Sequence, residues 1–279
     1  MDQIDILRQN IRQCDEIIIN ALLMRNRIVE DLMVYKEEKG MPIYQPEQEA
    51  RQRKWLEEKL QDQRHQNEVK SVFGSIVKNS KRIQARKLFN YNLVLIGFMG
   101  VGKTTISDYF NTIFAMDVIE MDQIIARREG MSIPDIFEVH GEEYFRSCET
   151  SLLIELQSRK NVVISCGGGV PMRERNIAEM KKNGRVILLT ATPETILDRV
   201  KDDHNRPLLE SNKNVPFIAS LMEKRREKYE AAADIIVRTD GKSIAEIAEE
   251  IIVQLRVMDG VRGFSRQEPT VVYEQASRG

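Results

Sequence analysis

The first part of the chain carries apolar residues three or four positions apart, which is the spacing of one face of an α-helix. The pattern runs from Ile4 to Tyr35, and no glycine or proline interrupts the chain before Gly40 and Pro42. It predicts one helix of roughly 35 residues, about 50 Å long at 1.5 Å per residue. Two shorter helices are predicted after it, over residues 47–61 and 67–88. The apolar positions of the first helix are Ile4, Leu7, Ile11, Cys14, Ile18, Leu22, Ile28, Leu32 and Tyr35.

Two short helices cannot cover the apolar face of a helix that long in a segment of roughly 90 residues. An intertwined dimer of two such segments would bury the face, so the pattern predicts a homodimer. A coiled-coil arm that only dimerises is the alternative.

Near Tyr91 the pattern changes to short runs of leucine and β-branched residues separated by helical segments. This alternation is typical of a parallel sheet covered by helices on both faces. The sequence therefore predicts a multidomain chain. An all-α three-helix domain covers residues 1–89, an α/β domain with a five-stranded parallel sheet covers 90–258, and a loose tail covers 259–279. The five runs are residues 92–96, 116–119, 162–166, 185–189 and 234–237.

Composition excludes several classes of protein. With 42% hydrophobic and 30% charged residues the chain can bury a core, and its net charge of −1 provides no basic field for nucleic acid or an anionic membrane. No apolar run approaches the ~20 residues of a membrane span, and the N-terminus lacks the basic start of a signal peptide. The expected compartment is the cytoplasm. Cys14, Cys148 and Cys166 are expected to be free thiols, because they are odd in number and lack metal-ligand spacing.

The segment from Gly97 to Thr104 fits the pattern G-x-x-x-x-G-K-[ST] between a predicted strand and a predicted helix. Glycines let successive backbone N–H groups point at the phosphates of a nucleotide, and the helix N-terminus adds a partial positive charge. Lys103 would reach the β- and γ-phosphates, and Thr104 would hold Mg²⁺. GTPases, ATPases and small-molecule kinases share this pattern, and a glycine-rich turn that happens to contain lysine is the alternative. The predicted nucleotide-binding residues of the loop are Gly97, Met99, Gly100, Val101, Gly102, Lys103, Thr104 and Thr105.

Two carboxylates follow the second predicted strand. Glu120 and Asp122 are separated by one residue, so an extended chain would direct both the same way at the carboxyl edge of the sheet. Asp122 would accept a hydrogen bond from an acceptor hydroxyl, and Glu120 would meet the metal through water. A solvated strand end is the alternative.

Three further features suggest chemistry at the acceptor. Arg146 and Glu149 share one helix face, although such a pair is usually a weak surface ion pair. Three glycines at 167–169 follow the third predicted strand, where the backbone approaches a ligand closely unless the segment is a plain loop. Arg206 lies in a polar connection that suits a mobile lid bringing a cation to the transferring phosphate.

Together these motifs resemble shikimate kinase, a small P-loop kinase of aromatic amino-acid biosynthesis, over residues 91 to about 255. The resemblance implies ATP as the nucleotide, Mg²⁺ as the metal and shikimate as the acceptor. One departure is Glu120, which stands where the family usually has aspartate. The matching motifs are Gly97 to Thr105, Asp122, Phe145-Arg146 with Glu149, Gly167 to Gly169, Arg206 to Leu209, and Arg225 four residues before Tyr229.

The same resemblance assigns roles to individual residues. It implies that two arginines hold the shikimate carboxylate, while Asp122 holds the hydroxyls. It also implies that Arg206 contacts the transferring phosphate and that Arg199 lies against adenine. The implied catalytic residues are Lys103, Asp122 and Arg206, and the implied shikimate-binding residues are Asp122, Arg146, Gly168, Gly169 and Arg225.

Polar residues occupy positions of the helical segment that the pattern predicts to be buried. Arg25 and Lys36 lie on or beside the apolar face of the first helix, and Ser80 and Gln84 lie along that of the third. Buried cations without partners are unfavourable, so an anionic ligand is expected there. A structural ion pair within the dimer is the alternative.

Residues 2 to about 89 resemble the all-helical chorismate mutases, which are intertwined dimers with active sites containing residues of both chains. The rearrangement of chorismate to prephenate is unimolecular, so the site has only to hold the reactive conformer and stabilise charge on the breaking C–O oxygen. Gln45 and Gln48 stand where relatives commonly have aspartate and arginine. The resemblance implies that Arg25 and the partner's Arg8 bind the two carboxylates of chorismate, that Lys36 and Gln84 meet its ether oxygen, that Glu49 meets its hydroxyl, and that Ser80 belongs to the same site.

The leading hypothesis is therefore a bifunctional enzyme, a chorismate mutase followed by a shikimate kinase. A first rival hypothesis is an active kinase whose helical domain only dimerises or senses an effector. The presence of Gln48 favours this rival. A second rival is a P-loop kinase for another small polyol acid or a nucleotide. It would leave Asp122, Arg146, Gly168 and Arg225 unexplained.

Overall fold

The computed structural model describes residues 2–201 and 214–260. The chain starts with three helices, as the apolar spacing predicts: α1 Gln3–Glu38, α2 Pro46–Leu60 and α3 Gln66–Leu88. We call residues 2–88 the helical segment. α1 has 36 residues, and at 1.5 Å per residue it is about 54 Å long.

Much of α1 is uncovered in a single chain. Only one face of its C-terminal part is packed, with Met33 fully buried, whereas Ile11 and Ile18 in the N-terminal part are 61% and 53% exposed. A long apolar stripe on the surface is unfavourable in water. This stripe is the surface that the predicted homodimer would cover, and dimerisation stays a prediction. Other exposed apolar side chains of α1 are Ile4, Ile6, Leu7, Ile17, Ile19, Leu23, Met24, Ile28, Leu32, Val34 and Tyr35.

Within the described residues, five parallel strands form one sheet in the order β2-β3-β1-β4-β5, which confirms the predicted α/β architecture. Each strand differs from its predicted run by at most one residue at either end. We call residues 92–258 the α/β segment. The strands are β1 Asn92–Ile96, β2 Asp117–Glu120, β3 Val162–Ser165, β4 Gly184–Thr190 and β5 Ile235–Arg238.

Helices cover both faces of the sheet, so the central strand β1 is buried at every position. Leu95 faces an apolar core together with Phe110 and Ile251, whereas Val94 faces a second core with Leu152. Burial on both faces explains why β1 is apolar throughout instead of alternating. Among the described residues, the α-helices of this segment are α4 Lys103–Phe114, α5 Met121–Glu129, α6 Ile133–His140, α7 Glu142–Leu156, α8 Glu174–Asn183, α9 Pro193–Val200, α10 Val215–Ala232 and α11 Ile244–Met258.

The helical and α/β segments share one of these cores. Met33 and Ile43 belong to the same apolar cluster as Phe110. The fully buried Phe89 also makes an edge contact with Phe114, with 6.0 Å between the ring centroids. The change from helix to sheet falls between α3 and β1, and the domain limits at residues 89 and 258 stay predictions.

No helix among residues 2–201 and 214–260 is long and apolar enough to cross a bilayer. Two of the sequence predictions lie outside the described residues. They are the lid arginine Arg206 and the tail beyond Gly260.

Candidate active sites

The predicted phosphate loop connects β1 to α4 at the carboxyl edge of the sheet. Gly97 has φ 141°, and a Cβ there would clash with the carbonyl oxygen of Leu189, so only glycine fits. α4 begins at Lys103, which directs the unpaired N–H groups of its first turn toward the loop. The loop therefore has the geometry of an anion-binding helix N-terminus.

The Lys103 side chain folds back over this loop. Its Nζ donates to the carbonyl oxygens of Gly97 at 2.9 Å and Phe98 at 3.1 Å. The ammonium is therefore held beside the loop, where the phosphates of a bound nucleotide would lie.

Glu120 offers an oxygen to a cation beside the loop. Burial raises the pKa of its carboxyl, while hydrogen bonds from Ser165 and Thr104 and the charge of Lys103 lower it. Its Oε1 is buried and accepts no hydrogen bond from the described residues. An unsatisfied carboxylate oxygen beside a threonine hydroxyl fits Mg²⁺, which prefers oxygen ligands.

Glu120 and Thr104 would not hold a metal ion without further ligands. Among the described residues, no three histidine, cysteine, aspartate or glutamate side chains come together as a metal site. Mg²⁺ usually keeps several waters and shares its coordination with substrate phosphates, which agrees with a site of this kind.

The backbone conformation predicted for Asp122 is wrong. Glu120 is the last residue of β2, but α5 begins at Met121, so Asp122 lies in the first turn of a helix. The two-residue period of an extended chain therefore does not relate the two carboxylates. They still line one cavity, because the strand-to-helix turn directs both toward the phosphate loop.

Arg146 and Glu149 do not form the surface ion pair that their spacing alone suggests. Nη1 of Arg146 donates to Glu149 at 3.0 and 3.1 Å, and its Nε and Nη2 donate to Glu142. Glu149 is fully buried because its face of α7 also carries Leu152, which packs on the sheet. Burial raises the pKa of Glu149 to about 7, although Arg146 lowers it.

The three glycines at 167–169 form a turn under these side chains. A Cβ on Gly169 would clash with the guanidinium of Arg146, so the close approach requires glycine. Gly168 accepts a hydrogen bond of 2.7 Å from the hydroxyl of Tyr229. The turn therefore lies against the side chains that flank the predicted acceptor site.

A second arginine reaches this turn from α10. The guanidinium of Arg225 lies over the ring of Phe98, 5.8 Å from its centroid, and one turn of helix before Tyr229. Its Nη1 would be 3.5 Å from a Cβ on Gly168. Arg225 is thus held between the phosphate loop and the glycine turn.

Arg199 lies on the opposite side of the phosphate loop. Its guanidinium donates to the carbonyl oxygens of Gly100 and Val101 at 3.3 Å and to Thr239 Oγ1 at 3.0 Å. These contacts place it beside the loop, and its contact with adenine stays a prediction.

A single cavity of about 1130 Å³ joins these groups. Gly97 is the one described residue of the predicted kinase sites that does not line it, because its role is in the backbone of the turn. The predicted residues lining the cavity are Met99, Gly100, Val101, Gly102, Lys103, Thr104, Thr105, Glu120, Asp122, Arg146, Gly168, Gly169, Arg199 and Arg225.

The predicted residues of the helical segment form a separate, more open group. Arg25 on α1 donates to Ser80 Oγ on α3, and burial lowers the pKa of Arg25. Lys36 is only 7% exposed, and its Nζ donates to the carbonyl oxygen of Ile43 at 2.7 Å. Gln84 is half-buried one helical turn beyond Ser80. The predicted burial is therefore confirmed for Lys36 and Ser80 in a single chain, whereas Arg25 and Gln84 are only half-buried there.

Arg8 does not reach this group within its own chain. It is exposed, and its nearest ionic contact is a loose one of 3.8 Å with Asp5. Because Arg8 and Arg25 lie on one straight helix, about 25 Å of α1 separates them.

Comparison with known proteins identifies both segments. A family model described as shikimate kinase matches residues 99–256. This chain belongs to the shikimate kinase family. A second family model, chorismate mutase type II, matches residues 7–85. The chain therefore joins a chorismate mutase domain to a shikimate kinase domain.

Relatives match the kinase domain over nearly their whole length. The shikimate kinase of Caldanaerobacter subterraneus is 42% identical over 161 residues, which cover 58% of this chain and 94% of the relative. That of Nitrosococcus oceani is 34% identical over 192 residues, covering 69% of this chain and all of the relative. The solved structure of shikimate kinase from Acinetobacter baumannii in complex with shikimate has a TM-score of 0.56 and 32% identity, covering 62% of this chain and 94% of that one.

The kinase domain also contains site residues that sequence reasoning missed. Glu142 and Ser165 line its cavity, as does Lys242 from the connection after β5. Glu142 precedes Arg146 by four residues, a spacing that signals a helical ion pair. Ser165 ends a buried strand at the same sheet edge as Asp122. Lys242 carries no comparable local signal, because only the packing of α11 brings it to the cavity.

Proposed function

We propose that the protein phosphorylates shikimate with ATP to give shikimate 3-phosphate and rearranges chorismate to prephenate. The observation that carries the first activity is one cavity containing a phosphate loop, a carboxylate and two arginines. Shikimate has one carboxylate and several hydroxyls, and ATP supplies the phosphoryl group. The cavity offers a complementary group for each.

In the kinase domain, Arg146 and Arg225 bind the carboxylate of shikimate, for which the planar guanidinium is a good geometric match. Glu149 and Glu142 hold the Arg146 side chain in place from behind. Gly168 and Gly169 let the backbone approach the ring. The substrate is thereby oriented with a hydroxyl toward the phosphate loop.

Phosphoryl transfer then requires a proton acceptor and neutralisation of charge. Asp122 orients the attacking hydroxyl and accepts its proton as the new O–P bond forms and the bond to the β-phosphate oxygen breaks. Lys103 and Arg206 stabilise the negative charge on the transferring group. Thr104 and Glu120 would hold Mg²⁺, which neutralises phosphate charge when bound. Arg199 lies along the adenine.

In the mutase domain, chemistry needs positioning without a nucleophile or base. Arg25 binds one carboxylate of chorismate and the partner's Arg8 binds the other. Lys36 and Gln84 stabilise the charge on the ether oxygen, and Glu49 binds the hydroxyl. Ser80 holds the Arg25 side chain through its hydroxyl.

This assignment makes the protein a homodimer. Arg8 is about 25 Å from Arg25 along one helix, so only the α1 of a second chain can bring the two together. The exposed apolar stripe of α1 supplies the surface for that contact. The cysteines among the described residues are free, in line with a reducing cytoplasm. Neither nucleic acid nor a membrane is expected as a partner.

A second candidate function has one observation in its favour. Gln48 is exposed on α2, and because relatives commonly have arginine there, it leaves the site one cation poorer. A helical domain that is weak in catalysis would still dimerise or sense a dianion of the chorismate pathway.

The proposal is tested by assaying both activities on the purified full-length protein. A panel of other acceptors, such as quinate, gluconate and nucleoside monophosphates, tests the rival kinase substrates. Asp122→Asn is expected to lower kcat for shikimate phosphorylation by roughly 10²- to 10⁴-fold with ATP affinity unchanged, because Asp122 serves the hydroxyl. Asp31→Asn, an exposed carboxylate of α1, is the matched control. Collapse of ATP affinity in Asp122→Asn would assign Asp122 to the metal and contradict its role as base.

A further inference from the structure

The kinase domain packs around Lys36 of the mutase domain. Glu37, the neighbour of Lys36, forms an ion pair with Arg256 of α11. Arg256 also donates to the carbonyl oxygen of Leu88 at 3.3 Å and is only 7% exposed. An ion pair therefore joins the C-terminal end of α1 to α11 of the kinase domain.

Two more kinase-domain side chains reach the same place. Glu249 precedes Arg256 by two turns of α11, so both lie on the face that meets α1. Tyr109 of α4 lies edge-on to Tyr44, with 6.1 Å between ring centroids. Tyr44 directly follows Ile43, the residue whose carbonyl oxygen accepts the hydrogen bond of Lys36.

We propose that the kinase domain forms one wall of the chorismate site, with Glu249 as a positioning residue for Lys36 and Tyr109 closing the wall beside it. This inference rests on the proposed mutase function. It gives the fusion a physical consequence, because a helical domain without the kinase domain would keep Glu49 but lose Glu249 from the surroundings of its buried lysine.

The electrostatics of the site support this role for Glu249. Burial lowers the pKa of Lys36, while Glu49 and Glu249 raise it. Burial raises the pKa of Glu249, and Lys36 lowers it, as expected for a pair sharing one half-buried space. Only a protonated Lys36 can stabilise negative charge on the ether oxygen of chorismate.

The other charged groups around Lys36 already have partners. Glu49 of α2 accepts a hydrogen bond of 3.0 Å from Lys81 of α3, which also donates to the carbonyl oxygen of Thr112. Glu37 is paired with Arg256. Tyr109 contributes a neutral hydroxyl, because burial, Tyr44 and the carboxylates of Glu249 and Glu49 raise its pKa. Glu49 has the larger charge effect on Lys36, and Glu249 is the carboxylate that the kinase domain adds to it.

The test uses Glu249→Gln in the full-length protein, with prephenate formation followed across pH 6 to 10. Removing the negative charge lowers the pKa of Lys36, so the alkaline limb of mutase kcat/KM is expected to move to lower pH, with a loss that grows toward the alkaline end and is absent at pH 6. Glu249→Asp keeps the charge and is expected to restore the wild-type profile. Glu250→Gln, which removes the adjacent carboxylate paired with Lys242, is the matched control.

Several outcomes overturn the inference. An unchanged alkaline limb in Glu249→Gln does so, and so does an equal loss at every pH, which would indicate a structural role only. Sedimentation and shikimate phosphorylation verify assembly and folding of each variant. If wild type forms no prephenate, the proposed mutase function fails on its own. Calorimetric titration with prephenate then decides the inference. It is overturned if neither wild type nor Glu249→Gln binds prephenate, or if both bind it with an affinity that does not change with pH.

Discussion

The two active sites of this chain are built in different ways. In the kinase domain, backbone turns at the ends of parallel strands bring the functional groups into one cavity within one chain. In the mutase domain, the proposed site uses single side chains on helices, such as Arg25 in contact with Ser80, and the proposed role of Arg8 requires a second chain. The comparison shows that a short sequence motif can reveal a site built from backbone turns, whereas a site built from helix faces depends on how the helices and chains associate.

Lys103→Met tests this difference between the sites and is expected to have the largest effect on activity. No other side chain of the phosphate loop carries a positive charge, so shikimate phosphorylation should fall by roughly 10³-fold or more. Mutase activity should stay unchanged, because the two sites use separate residues. Steady-state assays of both reactions measure this, with the exposed Lys182→Met as control. Wild-type kinase activity in Lys103→Met would refute the assignment of the loop.

Arg25→Ala is expected to have the next largest effect, on the other site. Loss of a carboxylate ligand should lower mutase kcat/KM by about 10²- to 10³-fold and leave shikimate phosphorylation unaffected. The proposed dimer should persist, because the apolar stripe of α1 would stabilise it. Prephenate formation and sedimentation measure the two effects, and Arg27→Ala is the control on the same helix. Absence of mutase activity in wild type, with chorismate binding unchanged in Arg25→Ala, would leave the helical domain as an assembly or sensing module.

A smaller effect is expected from Glu149, whose burial is a property of the kinase site alone. Its pKa is raised to about 7 in the folded protein from 4.5. Protonation therefore stabilises the fold fully below pH 4.5, and this contribution of about 3 kcal/mol is lost as pH rises to above 7. Glu149→Gln should remove that part of the pH dependence. Thermal unfolding of wild type, Glu149→Gln and the exposed control Glu138→Gln between pH 4.5 and 7.5 measures it, and parallel curves would contradict the prediction.

The smallest effect is expected from Gln48→Arg. An exposed cation contributes ~1 kcal/mol or less, so mutase kcat/KM should rise by roughly two- to fivefold. Gln48→Glu should lower it, which provides the comparison of opposite sign. Unchanged activity in Gln48→Arg would show that a nearby cation such as Arg51 already supplies the charge.

Much of the fold and part of the kinase site are predictable from the sequence. The three helices, the five strand positions and the phosphate loop follow from spacing and glycine placement. The conformation of Asp122 does not, because a single residue between two carboxylates is compatible with a strand or with a strand-to-helix turn. The three-residue spacing of Arg146 and Glu149 likewise predicts a shared helix face without showing whether that face is buried.

The amino-acid sequence by itself determined the elements and the kinds of chemistry, because backbone hydrogen bonding sets the periods of helix and strand and local glycines set the phosphate loop. The tertiary structure alone decided which charged side chains are buried away from water. Glu149 became a buried partner of Arg146, and the charge of Glu249 came to act on Lys36, 213 positions away. Desolvation and Coulomb interaction depend on distance in space, so residues far apart in the chain determine the pKa of each group.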